Sequence, residues 1–178
     1  MKTAKLLSIS LLGIALLTGC ANGSSTGTQQ TPTSQATTQE QATEAPLTAH
    51  APNGDLQELT TSISTLPTFL DTVHPNIKDV YRIAADHNDL LQSIPCYCGC
   101  GESAGHQHNG NCFIKEVKED GSVTWDDHGT RCKACMDIAV ISAKMMQEGK
   151  TKLEIRTHID ENFSKGYAAP TPTPMPTA

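Results

Sequence analysis

Three thiols lie within five residues in the run Ile94-Pro95-Cys96-Tyr97-Cys98-Gly99-Cys100-Gly101, and three more follow at Cys112, Cys132 and Cys135. Histidines punctuate the same stretch at His106, His108 and His128. Thiolate sulfur and imidazole nitrogen are the ligands of soft and borderline metals, and thiols also exchange with disulfides. Residue type and crowding therefore say where the chemistry is concentrated, while leaving metal binding and thiol exchange both open.

The pair Cys132-Lys133-Ala134-Cys135 has the spacing that puts two sulfurs on one helix face, about one turn apart. At a helix start the unsatisfied amides favour a thiolate, and Arg131 and Lys133 push the same way. His128, four residues ahead of Cys132, could complete such a site. In the Cys96–Cys100 run, Gly99 and Gly101 allow the chain to fold around an ion. Cys96 and Cys100 are expected on one side of that run and Cys98 on the other. A disulfide between such close cysteines is strained, so distant partners are expected, with Cys112 in reach of either cluster. Of the two histidines on the loop from Gly105 to Gly110, His106 is the expected ligand. The candidate metal set is thus Cys96, Cys98, Cys100, His106, Cys112, His128, Cys132 and Cys135, for zinc or copper(I). His50, His74, His87 and His158 lie away from it, and Met136, Met145 and Met146 fall at helical spacing as core residues. No catalytic residue is assigned: a nucleophilic Cys-His-Asp triad does not need grouped cysteines.

These residues must be positioned by the elements around them. Leu56, Leu59 and Ile63 predict a helix over Asp55 to Thr65, interrupted before Pro67. Ile77, Val80, Tyr81, Ala84, Leu91 and Ile94 predict a second over Asn76 to Ser93, with a break near His87-Asn88 and an end forced by Pro95. A third is predicted from Arg131 to Glu148, ending at Gly149, and a fourth from Thr151, whose Thr151-x-x-Glu154 reads as a capping box. Phe113 to Trp125 predicts a hairpin turning at Asp120-Gly121. The expected fold class is mainly α: a small helical domain with a short β-hairpin and Cys/His-rich loops, flanked by disordered tails.

The N-terminus predicts the compartment. Lys2 and Lys5 precede an apolar run from Leu6 to Leu17, shorter than the roughly 20 residues a bilayer span needs. It ends in Leu17-Thr18-Gly19-Cys20, the pattern of a bacterial lipobox, so residues 1–19 read as a lipoprotein signal peptide and Cys20 as the acylated residue. Membrane lipid, through Cys20, is then a partner, and the location is the extracytoplasmic face of the cell membrane. Loss of residues 1–19 removes two lysines and no acid, taking the formal charge from −6 to −8. Such an acidic chain is a poor match for nucleic acid. Residues 20–54, rich in Thr, Gln, Ser and Ala, read as a disordered tether, and 168–178, with Thr and Pro alternating, as an unstructured tail. The folded unit is placed at 55–167, with so few aromatics that metal or cross-links are expected to support its core.

Pro95-Cys96-Tyr97-Cys98-Gly99-Cys100-Gly101, with Gly105-His106, Cys112-Phe113-Ile114, His128, Cys132-x-x-Cys135, Gly149-Lys150, Ile155-Arg156 and Ile159-Asp160, resembles the bacterial PCYCGC-motif lipoproteins over about residues 75–165. That family is known chiefly as a domain of unknown function. The resemblance implies that the Cys/His set, the lipobox and the domain belong together, and it assigns no reaction; His108 departs from the pattern.

Three functions remain at this point. The first is a metal-binding module for structure, storage or delivery, with a membrane metalloenzyme or another extracytoplasmic protein as partner. The second is a disulfide-stabilised extracytoplasmic interaction domain, since six thiols remain outside Cys20. The third is a thiol–disulfide oxidoreductase using Cys132 and Cys135. Convergence of the loop cysteines with Cys132, Cys135 and His128, sulfurs about 3.5–4 Å apart, is expected of the first.

Overall fold

Asn53-Gly54 makes a tight turn in which Gly54 takes φ 89°, a conformation open to glycine at no steric cost. The turn joins β1 (Leu47–His50) to β2 (Leu56–Thr60) as an antiparallel hairpin. This is a computed structural model, and it describes residues 47–177. The signal segment, Cys20 and most of the expected tether lie outside the described residues. The tether's last part does not behave as expected, because β1 begins at Leu47, inside the segment read as unstructured.

Along the chain, a 3-10 turn (Thr68–Thr72) precedes α1 (Pro75–Asp86) and α2 (Asn88–Leu91). After the cysteine run come α3 (Cys100–Ala104), a 3-10 turn (Asn109–Cys112), β3 (Ile114–Val117) and β4 (Val123–Asp126). A last 3-10 turn (Asp127–Thr130) leads into α4 (Lys133–Gln147), then α5 (Lys152–Phe163). The four strands form one antiparallel sheet in the order β1-β2-β4-β3. The expectation of a mainly α fold is therefore corrected: the described residues form a mixed α/β fold with a small sheet.

The reason lies in β2. Its spacing of Leu56 and Leu59 mimics a helix, but the residues it buries are Glu58 and Thr60. Glu58 accepts from Thr68 N at 2.7 Å, Thr68 Oγ1 at 2.9 Å and Phe69 N at 3.3 Å. Thr60 Oγ1 accepts from Trp125 Nε1 at 2.8 Å. A carboxylate and a hydroxyl stand in the interior because every one of these contacts is a hydrogen bond, which removes the penalty of burying them. Val123, Trp125 and Ile114 join them on the same face. Tyr81 of α1 meets Phe113 edge-on at 5.2 Å between centroids, and its hydroxyl donates to Asp126 O at 2.7 Å.

The other elements lie close to expectation. The second predicted helix breaks at His87, whose φ of −116° leaves the helical region, and the cysteine run follows Pro95. The hairpin turns through Gly121 at φ 84°, with Asp120 Oδ1 accepting from Ser122 N at 2.9 Å. Both halves of the Thr151–Glu154 capping box are present. Met136, Met145 and Met146 pack against the core.

The tail has no regular structure, as its prolines require, yet residues 168–174 are not free. Ala168 N donates to Tyr97 O at 3.1 Å and Thr171 N to Cys96 O at 3.1 Å. Cys96 N returns a bond to Thr171 Oγ1 at 2.9 Å, and Thr173 Oγ1 donates to Gln107 O at 2.7 Å. Buried Arg156 of α5 grips the Asp160 carboxylate through Nε and reaches Thr173 O at 3.0 Å. The folded unit thus runs past 167, and this strap covers the backbone of the cysteine run.

Candidate metal centre

The cysteine run turns its sulfurs to one side because its aromatic packs on the other, against α5. Tyr97 is buried toward α5, where its hydroxyl donates to Asp160 at 2.7 Å and its ring lies 6.1 Å from that of Phe163. Neighbours two apart in an extended chain share a side, so Cys96 and Cys98 both face the interior. This corrects the expectation that Cys98 would point away from Cys96: their sulfurs are 2.8 Å apart. Gly99, at φ 84°, then turns the chain into α3 and carries Cys100 to the margin.

Distant segments supply the remaining donors. Cys112 ends a 3-10 turn, Cys132 caps α4, and Cys135 lies in the first turn of α4. Cys96 Sγ stands 3.6 Å from Cys112 Sγ and 3.9 Å from Cys135 Sγ. Two sets of four donors result, each with all its ligand atoms within 4.8 Å of one another: Cys96, Cys98, Cys112 and Cys135, and Cys98, His128, Cys132 and Cys135. The 3.6 and 3.9 Å separations suit a tetrahedron of thiolates at about 2.3 Å from a central ion, whereas Cys96 and Cys98, at 2.8 Å, must part to take their places in it. The six thiols of the described residues are free.

Two expected ligands flank these sets. Cys100 Sγ is 2.9 Å from His128 Nε2 and half-buried. His106 is buried, with Nδ1 3.6 Å from Cys112 Sγ and its ring 5.0 Å from that of His128. It also belongs to a smaller group with Asp55 and Asp126, and its Nε2 has no hydrogen-bond partner. His108 is half-buried outside the site, its pKa lowered to about 4 by burial and then by His106.

Sequence reasoning missed Asp55. Its Oδ2 accepts from His128 Nδ1 at 3.0 Å, and its Oδ1 pairs with Arg131. A carboxylate behind a histidine fixes the ring and leaves Nε2 facing the other donors, as in sites that could hold a metal. Asp55 follows the Asn53-Gly54 turn directly, so the β1–β2 hairpin is what delivers it. Two further bonds lock that hairpin to the His128 loop, Leu56 N to Asp127 Oδ1 at 2.8 Å and Gln57 Nε2 to Asp126 Oδ2 at 2.9 Å, while His128 N donates to Asp126 Oδ1 at 3.0 Å within the loop itself. Gly129 lets this loop lie flat on the core, since a Cβ there would stand 2.6 Å from the Phe113 ring. The legible clue to Asp55 was the Asn-Gly dipeptide between two short apolar-polar runs.

The charge state follows from the crowding. Neighbouring thiols donate to Cys96 and Cys98 and hold both well below the usual thiol range, those of Cys112 first. Burial pushes Cys112 and Cys100 up, and Cys135 is driven up by the thiols around it, Cys112 first. The sulfurs of Cys132 and Cys98, with Asp55 behind, raise His128 to about 11. A bound cation would allow all of these donors to lose their protons together.

A family described as proteins of unknown function with a PCYCGC motif matches residues 12–176. The chain belongs to this family. The match covers far more than the cysteine run: in this PCYCGC protein it takes in β1, the Asp55 turn and the strap over Cys96. No curated protein and no solved structure matches the chain. Membership in the PCYCGC family thus assigns no activity, and function must be argued from the donors themselves.

Asp55→Asn is expected to weaken metal binding about 10- to 100-fold, the usual effect of losing the partner behind a ligating histidine. Competition titration against a chromophoric chelator would measure it. Arg131→Gln, which breaks the ion pair but keeps the bond to His128, should change affinity far less. Equal losses in the two variants would mean that Asp55 acts only through the ion pair.

Proposed function

We propose that this chain is a lipid-anchored, extracytoplasmic metal-binding protein that holds zinc or copper(I) in its Cys/His pocket. The observation that carries this reading is the convergence of Cys98, His128, Cys132 and Cys135, from three separate segments, around one space with Asp55 behind the histidine. Crowded thiolates with an imidazole are the donors that soft and borderline ions prefer. Cys20 and the apolar run before it support the anchor and the compartment. Half-exposed Cys100, beside His128 at the margin, supports exchange of metal with a membrane metalloenzyme rather than permanent enclosure.

Thiol–disulfide exchange is a second reading, favoured by Cys132 standing half-exposed at the cap of α4. One experiment separates the two: elemental analysis with thiol counting on protein purified under reductant. Zinc or copper at a fixed ratio, with thiols shielded from reagent until the metal is removed, is the expected result. Metal-free protein whose thiols react at once and cycle to a Cys132–Cys135 disulfide would overturn metal binding in favour of exchange.

A further inference from the structure

The two donor sets are not independent. Each has four members, yet together they comprise only six residues, because Cys98 and Cys135 belong to both. We propose that the pocket holds a two-metal centre in which the Cys98 and Cys135 thiolates bridge the ions, Cys96 and Cys112 complete one ion, and Cys132 and His128 complete the other. This rests on the metal-binding reading above and specifies its stoichiometry and ligand partition.

The chemistry of the shared residues is what favours it. A thiolate sulfur has lone pairs enough to bind two ions, whereas a neutral imidazole has one. Both shared positions are sulfur, and the single histidine of the two sets lies in one set only. Placement agrees. Cys135 is fully buried, and its sulfur lies within 4.8 Å of the other donors of both sets. His128 is held by Asp55 of the hairpin and Cys132 is half-exposed, while Cys96 and Cys112 are buried.

Charge balance points to divalent ions. Five thiolates and a neutral imidazole against two dications leave one net negative charge; two monovalent ions would leave three. In a pocket already bordered by Asp55 and Asp126, the smaller residue is the more readily accommodated. Cys100 and His106 remain outside the partition, able to donate hydrogen bonds to its sulfurs.

The test is zinc stoichiometry on the full chain. Protein loaded with Zn2+ under reductant and freed of excess by gel filtration should carry two zinc ions per chain. Cys112→Ser and Cys132→Ser should each carry one. One ion in the unsubstituted protein would overturn the two-metal centre and leave the metal-binding reading standing; none would overturn both. A second measurement needs no variant. Two cobalt(II) ions bridged by thiolate couple antiferromagnetically, so the electron paramagnetic resonance signal per cobalt should fall as loading passes from one to two equivalents. A signal that grows in proportion to cobalt would mean two separate sites and would overturn the bridge.

Discussion

Stripping metal from the loaded protein with a chelator is expected to lower its thermal midpoint by about 15 °C. An ion present at about a thousand times its dissociation constant stabilises the native state by about 4 kcal/mol. For a domain of this size each kcal/mol shifts the midpoint by about 4 °C. The donors come from the loop after Pro95, the 3-10 turn at Cys112 and the start of α4, so an ion would cross-link three segments that lie far apart in the chain. Calorimetry before and after chelation, with re-addition of zinc, measures the effect; an unchanged midpoint after complete removal would mean that no ion is held in the native state. The same protein should lose metal as pH falls. His128, raised to about 11, holds its proton at neutral pH in the metal-free fold, as do the buried Cys112 and Cys135, whose pKa values are pushed up. Uptake of metal must displace those protons, so affinity rises with pH, about tenfold per unit for each proton released. Acid therefore favours release, and uptake in weak buffer should be accompanied by measurable acidification.

Arg156→Ala should destabilise the domain by about 3 kcal/mol, or about 10 °C in midpoint. The guanidinium is buried; it grips Asp160 through Nε at 2.9 Å and bonds Ser93 O, Thr173 O and Pro174 O. Its removal leaves those acceptors without a donor and loosens Asp160, which in turn holds Tyr97. Limited proteolysis should then cut within residues 168–174, which the native protein protects. Arg156→Lys should not restore protection, because a single ammonium cannot reproduce the fork. A variant that stays protease-resistant at an unchanged midpoint would show that the strap is held by Thr171 and Thr173 alone.

The local signals of this chain were legible where the residues that make an element also reveal it. The break at His87, the stop at Pro95, the capping box at Thr151 and the turn at Gly121 all depend on neighbours a few positions away. β2 was not legible for the opposite reason. Its buried residues, Glu58 and Thr60, are satisfied by groups 10 and 65 positions distant, and no periodicity records such partners. The strap was misread on composition: alternating Thr and Pro excludes helix and sheet, but it says nothing of single bonds to Cys96, Tyr97 and Gln107. At the site, residue type was enough to single out the sulfurs and imidazoles that the fold brings close together. The division into two groups of four, the marginal place of Cys100 and the role of Asp55 are properties of the fold and invisible in the string.

The strap also bears on the order of events during synthesis. A chain emerging from its N-terminus forms the hairpin, the cysteine run and α4 well before residues 168–174 are available. Until then the backbone N–H and C=O of Cys96 lack their Thr171 partners. There is thus an interval, ended by the arrival of Thr171, in which the backbone of the cysteine run is held from one side only.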